Sequence, residues 1–169
     1  VTSNLARFKY EWVWDKVSTT GFLNAKKQPL RRSENILVFY LKQPTYNPQM
    51  EKRGKARTKG GYNKFNGSDN YGDFQDVKSF NNEYYPSSII CSNNANRSEK
   101  THPTQKPLAL MSYLLKTYSN PGDTVLDFAM GSGTTGVACM VHGRKFVGCD
   151  SDTSNGYFDT AELRIKTAY

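Results

Sequence analysis

Hydrophobic positions in this chain come in short blocks, and their spacing changes twice. "YEWVWDK" (Tyr10–Lys16) and "ENILVFYLK" (Glu34–Lys42) are β-branched and aromatic runs bounded by polar residues, a pattern that predicts two strands. Between them, "VSTTGFLNAKKQPLRRS" is rich in turn formers and positive charge. From Gln43 to Glu99 the periodicity fades, and Asn, Gly, Ser, Lys and Tyr dominate. So long a stretch without a strong pattern predicts a variable insert, with disorder in its first half as the plainer alternative. From Thr101 the pattern returns. A proline-bounded bend, "THPTQKP", leads into apolar positions Leu108, Met111, Leu114, Leu115 and Tyr118 near helical spacing, and "NPGD" ends that helix. A strand (Thr124–Phe128), a helix (about Thr134–His142), a strand (Lys145–Cys149) and a last helix (about Asn155–Thr167) follow. Strand, helix, strand at that spacing is a βαβ unit with a parallel sheet, which puts the chain in the α/β class.

Composition narrows this picture. The 169 residues suffice for one α/β domain with a core. A formal net charge of +8 points to an anionic partner, most often nucleic acid, with a merely solvated basic surface as the alternative. Cys91, Cys139 and Cys149 are an odd number without C-x-x-C spacing. That argues for a reducing compartment and against a disulfide scaffold or a zinc site, so no metal is expected. No apolar run approaches the roughly 20 residues that span a bilayer, and the N-terminus lacks a signal-peptide pattern. A cytoplasmic protein without a membrane partner is the default.

The candidate chemistry lies in "VLDFAMGSGTTGVAC" (Val125–Cys139). Gly131 and Gly133 have no Cβ, so a ligand can press on the main chain just before a helix whose first N–H groups are free. Asp127 sits at the end of one strand and Asp150 at the end of the next, where an acid grips a ribose diol in doubly wound folds. Gly131, Gly133 and Gly136 spell the G-x-G-x-x-G dinucleotide fingerprint, whereas a Walker P-loop fails because no Lys follows the glycines. On these residues alone, a dinucleotide site and a tight βα turn without ligand both stay open.

"THPTQKPLALMSYLLKTYSNPGDTVLDFAMGSGTTGVACMVHGRKFVGCDSD" resembles the DNA amino-methyltransferases in their permuted, beta-class arrangement. In that family an H-P-T-Q-K-P bend and its helix precede the strand and F-x-G-S-G-T-T turn, and both grip S-adenosylmethionine. The likeness is strong from Thr101 to about Lys166, and the N-terminal segment resembles the part that follows the catalytic motif in adenine-modifying members. The resemblance implies an α/β, Rossmann-like S-adenosylmethionine-dependent methyltransferase sheet with an inserted target-recognition region. Residues 1–42 would belong to the catalytic core, 43–100 to the variable recognition region and 101–169 to the cofactor-binding part. It further implies that Asp127, Phe128, Ala129, Gly131 and Ser132, with Gly133, line the methionine and its sulfonium. Thr134 would support the turn, Asp150 would hold the ribose hydroxyls, and His102, Thr104, Gln105 and Lys106 would close over the cofactor. Phe128 as plain core, His102 as a satisfied turn residue and Lys106 as a solvated lysine are the alternatives.

Members of this family methylate an exocyclic amine of a flipped base, held by an [Asp/Asn/Ser]-Pro-Pro-[Tyr/Phe/Trp] loop. No Pro-Pro occurs here, and "TYNPQ" (Thr45–Gln49), "YYPSS" and "SNPGD" miss the pattern, so no catalytic residue is expected in this chain. In the beta class the loop lies N-terminal to the segment seen here, on a strand beside the glycine-turn strand. Its loss would expose two sheet edges. Three arrangements fit: a piece of an active enzyme, which is favoured; a strand supplied by a second copy or another chain; or an inactive relative serving as a DNA-binding or regulatory subunit. The expected activity is site-specific methylation of double-stranded DNA, adenine N6 ahead of cytosine N4, in a restriction-modification or phage setting. Lys52, Arg53, Lys55, Arg57, Lys59 and Lys64, read as facing no acid, are the expected phosphate contacts, with Lys26, Lys27, Arg31 and Arg32 as a second cluster. Tyr62, Phe65, Tyr71 and Phe74 are read as core ahead of base stacking, and Asn, Gln and Arg between Gly61 and Arg97 as candidates for reading base edges.

Overall fold

The aromatic N-terminal run forms a strand longer than its pattern predicts. In the computed structural model, which describes residues 4–59, 78–95, 100–151 and 155–168, β1 (Phe8–Thr20) pairs antiparallel with β2 (Arg31–Phe39). Trp12 lies opposite Ile36 and Trp14 opposite Glu34. Side chains alternate across a strand, so Trp12, Trp14 and Lys16 are buried together on one face. β2 stops at Phe39 rather than Lys42, because the Tyr40 N–H turns to the Arg7 carbonyl (3.0 Å) and β1 has nothing beyond Phe8 to pair. A short strand, β5 (Ile89–Cys91), adds in parallel to the other side of β1.

The C-terminal part is the βαβ unit. β6 (Thr124–Asp127) and β7 (Lys145–Gly148) pair in parallel, connected by α2 (Thr134–Val141). Before them runs α1 (Leu108–Tyr118), after them α3 (Tyr157–Lys166). α1 starts directly behind Pro107, and its leucine-rich sequence buries two faces. Leu110 packs with Trp12, Trp14 and Ile90, while Leu115 packs with Ala138 and Cys139 of α2. One helix therefore joins the β1 sheet to the β6–β7 sheet. A tyrosine pair fixes the junction: the Trp12 indole donates to the Tyr118 hydroxyl (2.6 Å), which also lies 3.0 Å from that of Tyr10. Burial raises the Tyr10 phenol above its ordinary value, and the Tyr118 hydrogen bond adds to this.

Three strands form where the weak periodicity predicts none. Besides β5, β3 (Glu51–Lys59) pairs antiparallel with β4 (Ser79–Tyr84). β3 carries no apolar stripe, so its sequence reads as loop, yet pairing with β4 satisfies its backbone while its side chains stay in water. These two strands lie in a separate compact unit, Met50–Pro86; the other unit comprises Val1–Gln49 and Ser87–Tyr169.

Among the described residues nothing covers one face of the β6–β7 sheet, with Leu126 63% and Val147 53% exposed, although parallel sheets are normally covered on both faces. Among the described residues β6 pairs only with β7, and β2 only with β1. A groove of about 550 Å³, lined by Met111, Leu114, Leu115, Tyr118 and Val125, opens between α1 and β6. No helix among the described residues is long and apolar enough to cross a membrane.

Candidate cofactor site

The site is built at the carboxyl end of β6. The Asp127 carboxylate accepts from the Ala129 N–H (3.1 Å) and from the Thr135 hydroxyl (2.6 Å), tying the strand end to the first turn of α2. Gly131 and Gly133 take φ of 49° and 73°, left-handed values that favour glycine. The Gly131 N–H donates to Asp150 Oδ2 (2.7 Å), so the acid beyond β7 holds the turn. Of the two bare positions only Gly131 faces the His102–Lys106 bend, where an added methyl would lie 3.5 Å from the imidazole. A methyl at Gly133 would sit 2.8 Å from the Ala161 Cβ. The side of Gly133 that lacks a Cβ thus faces α3.

The bend is fixed by the Gln105 side-chain amide. Its oxygen accepts from the Thr101 N–H (3.0 Å), the Thr101 hydroxyl (3.1 Å) and the buried Ser132 hydroxyl (3.1 Å), joining the bend to the glycine turn. The Thr104 N–H donates to His102 Nδ1 (3.2 Å), which leaves the proton of the neutral ring on Nε2. The same ring meets Tyr157 edge-on, with centroids 4.3 Å apart. Lys106 donates to Glu34 Oε2 (3.0 Å) and lies 5.7 Å from the Trp14 ring centroid. Glu34 Oε1 accepts from the buried Lys16 (3.3 Å). Partial burial would raise the Glu34 carboxyl, but Lys106 and Lys16 outweigh it and hold the group below the usual carboxylate range.

His102, Thr104, Gln105, Lys106, Asp127, Ala129, Gly131, Ser132 and Thr134 thus line one cavity of about 180 Å³. Gly133, Asp150 and Phe128 are not in its lining. Phe128 is not core: it is 80% exposed, because β6 has already ended at Asp127 and the turn swings the ring outward. Glu34, Thr135 and Tyr157 were not singled out by sequence. Glu34 is the sole acid in "LRRSENIL", a signal that could have marked it, whereas Tyr157 reaches His102 only through the tertiary fold. Among the described residues no cluster of His, Cys, Asp or Glu is placed to hold a metal.

The basic positions are spread over both units. Arg53 does meet an acid, pairing with Glu51 two residues away along β3, which corrects the expectation that this run faces none. Arg57 donates to the Tyr84 hydroxyl (2.9 Å), and the Lys59 ammonium sits 3.5 Å from the Tyr84 ring centroid. Lys52 and Lys55 are exposed. Lys64, Tyr62, Phe65, Tyr71 and Phe74 lie outside the described residues. Lys26, Lys27 and Arg31 are exposed, whereas Arg32 forks onto Asp15 (2.9 and 3.0 Å) and holds that carboxyl below its usual range.

The comparison with known families decides the assignment, since a DNA methylase family of the N6/N4 type matches residues 5–162. The chain belongs to the N6/N4 DNA methylase family. Members of this family use S-adenosylmethionine. Among curated relatives, "DNA adenine methyltransferase YhdJ" of Escherichia coli (strain K12) is 40% identical over 70 residues, which is 41% of this chain and 24% of that protein. "Type II methyltransferase M1.MboII" of Moraxella bovis is 50% identical over 50 residues, 30% of this chain and 19% of that protein. The solved structure of the M1.HpyAVI-SAM complex superposes with a TM-score of 0.60 at 28% identity, covering 94% of this chain and 62% of that one. The cytosine-N4-specific PvuII DNA methyltransferase, 15% identical with a TM-score of 0.54, shares the fold. The chain therefore spans about three fifths of the solved relatives' length, and the stretches aligned with the curated relatives cover under a quarter of theirs.

Proposed function

We propose that this chain supplies the cofactor cradle and part of the DNA-facing surface of a DNA adenine-N6 methyltransferase. The observation that carries the reading is the closed bend. Gln105 fastens "HPTQK" onto the glycine turn, so that His102, Gly131 and Asp127 look into one cavity. The donor set suits one end of S-adenosylmethionine. A carboxylate faces the cavity, and among the described residues the one cation in its lining, Lys106, is paired with Glu34, which favours a positively charged sulfonium. At about 180 Å³ the enclosed space is smaller than the roughly 300–1,000 Å³ typical of ligand sites, so it takes only part of such a molecule. Asp127, Ala129, Gly131, Ser132 and Thr134 would hold the methionine end under His102, Thr104, Gln105 and Lys106. Asp150 would hold the ribose, and the exposed Phe128 ring would cover what the cavity leaves open.

When bound, the cofactor supplies an electrophilic methyl group. This chain's residues contribute orientation and exclusion of water, which is most of what an in-line transfer requires. The loop that grips the flipped base and its amine is expected on a strand pairing with the edge of β6 that is unpaired among the described residues, beside the α1 groove. The resemblance to a relative named as an adenine methyltransferase supports adenine over cytosine.

The test is transfer of tritium from labelled cofactor to DNA, with the product digested to nucleosides. The chain alone should bind cofactor without transfer, and the protein with a Pro-Pro loop restored should yield N6-methyladenine. Transfer by the chain alone would overturn the placement of the loop elsewhere, and N4-methylcytosine would overturn the adenine reading.

A further inference from the structure

The most exposed apolar side chains on the described surface stand together at one turn. Leu23 is 99% exposed and Phe22 is 81% exposed. They sit on a single 3-10 turn (Phe22–Asn24) in the connection between β1 and β2. The turn is built rather than loose. Gly21 reverses the chain at φ 87°, the Asn24 N–H donates to the Gly21 carbonyl (3.0 Å), and the Ala25 N–H donates to that of Phe22 (3.0 Å). The Lys27 and Gln28 N–H groups then close on the Asn24 carbonyl (2.9 and 3.1 Å). Lys26, Lys27 and Arg31 follow the pair in sequence and are exposed, and among the described residues none of them makes an ion pair, while Arg32 is locked on Asp15. An exposed apolar tip next in sequence to cations that make no ion pair among the described residues complements a duplex. The side chains can enter between bases while the cations meet the flanking phosphates.

The position of the turn adds to this. Glu34 of β2 is bonded to Lys106 of the cofactor bend, and Arg31 lies three residues further along β2, about 10 Å at strand spacing. The tip and Glu34 thus belong to one β-hairpin, and that hairpin is bonded to the cofactor bend. Taking a base out of the stack leaves a one-base hole beside such a cavity, and a Phe–Leu pair has the size to fill it.

We propose that the Phe22–Leu23 turn is a DNA wedge that enters the duplex, with Lys26, Lys27 and Arg31 holding the phosphates around it. This rests on DNA being the partner, and the test separates the two claims. Binding of the chain is followed by fluorescence anisotropy on a 20-base-pair duplex and on the same duplex carrying one abasic site, a ready-made hole that needs no knowledge of the target sequence. The wild-type chain should prefer the abasic duplex by about tenfold, the worth of burying one large apolar side chain. The double variant Phe22→Ser, Leu23→Ser should lose that preference while keeping its affinity for the intact duplex, its salt dependence and its melting temperature. The double variant Lys26→Ala, Lys27→Ala should keep the preference but bind with a slope of log affinity against log salt reduced by about 2. An equal preference in wild type and the serine variant overturns the wedge and leaves DNA as partner. Failure of the wild-type chain to bind either duplex overturns both. Capture by anionic vesicles that depends on Phe22 and Leu23, without any abasic preference, would assign the tip to a lipid surface instead.

Discussion

Gly133→Ala separates a strained turn from a crowded one. Gly133 has φ of 73°, and a left-handed backbone costs a non-glycine residue about 1–2 kcal/mol. The new methyl would also fall 2.8 Å from the Ala161 Cβ and 3.1 Å from the Ala161 Cα of α3, a backbone atom that cannot swing aside. Overpacking of this kind costs about 1–3 kcal/mol, for a total of about 2–5 kcal/mol. Gly143 is the internal control, with φ of 70° and nothing within 4 Å of an added Cβ, so Gly143→Ala carries the backbone cost alone. In a chain of this size each kcal/mol lowers the melting temperature by about 2–4 °C. Thermal unfolding followed by circular dichroism should show Gly143→Ala lowered by about 2–8 °C and Gly133→Ala by at least a further ~2 °C. Equal losses in the two variants would refute the seating of α3 against the glycine turn.

Glu34→Gln leaves the buried Lys16 and the Lys106 ammonium facing an amide, and should cost about 1–3 kcal/mol in denaturant unfolding. Because the folded Glu34 carboxyl is held below its unfolded value, its contribution is full above the ordinary glutamate range near 4.3 and is lost as pH falls through the folded value. The stability gap between wild type and Glu34→Gln should therefore close in acid, as melts from about pH 7 down to 3 would show. Cys139 is buried, and its thiol is pushed up to about 11 by burial, so a thiol reagent at pH 8 should label the exposed Cys91 and Cys149 and reach Cys139 only after unfolding. Arg144→Met should cost about 2–3 kcal/mol, because the guanidinium donates to the Ser119 hydroxyl (3.2 Å), the Ser119 carbonyl (2.8 Å) and the His142 carbonyl (2.5 Å). These groups lie at the ends of α1 and α2 and would lose a charged partner.

The cofactor half was legible because its signals are local. Leucine spacing set α1, the glycine turn set the entry to α2, and an acid at the tip of β6 needs no distant partner to be recognised. The order of the bend and turn motifs then pointed to the family. What escaped is what depends on residues far apart in sequence. Glu34 matters because two lysines 18 positions before it and 72 positions after it converge on one carboxylate. Tyr157 matters because α3 returns it to His102. β3 escaped for a different reason: a basic strand in water has no hydrophobic period, and only its pairing with β4 makes it a strand. Phe128 was ambiguous in sequence because an aromatic residue after a buried strand reads equally as the last core residue or the first exposed one, and the turn's geometry decides.

The central claim is that the cavity between the His102–Lys106 bend and the Gly131 turn accepts an S-adenosyl nucleoside. Calorimetric titration of the folded chain with S-adenosylhomocysteine and with NAD, side by side, tests it most directly. The account predicts heat of binding for S-adenosylhomocysteine, weakened at least tenfold by Asp127→Asn or Gln105→Ala, and none for NAD. Binding of NAD alone, or S-adenosylhomocysteine binding that neither substitution changes, would contradict it.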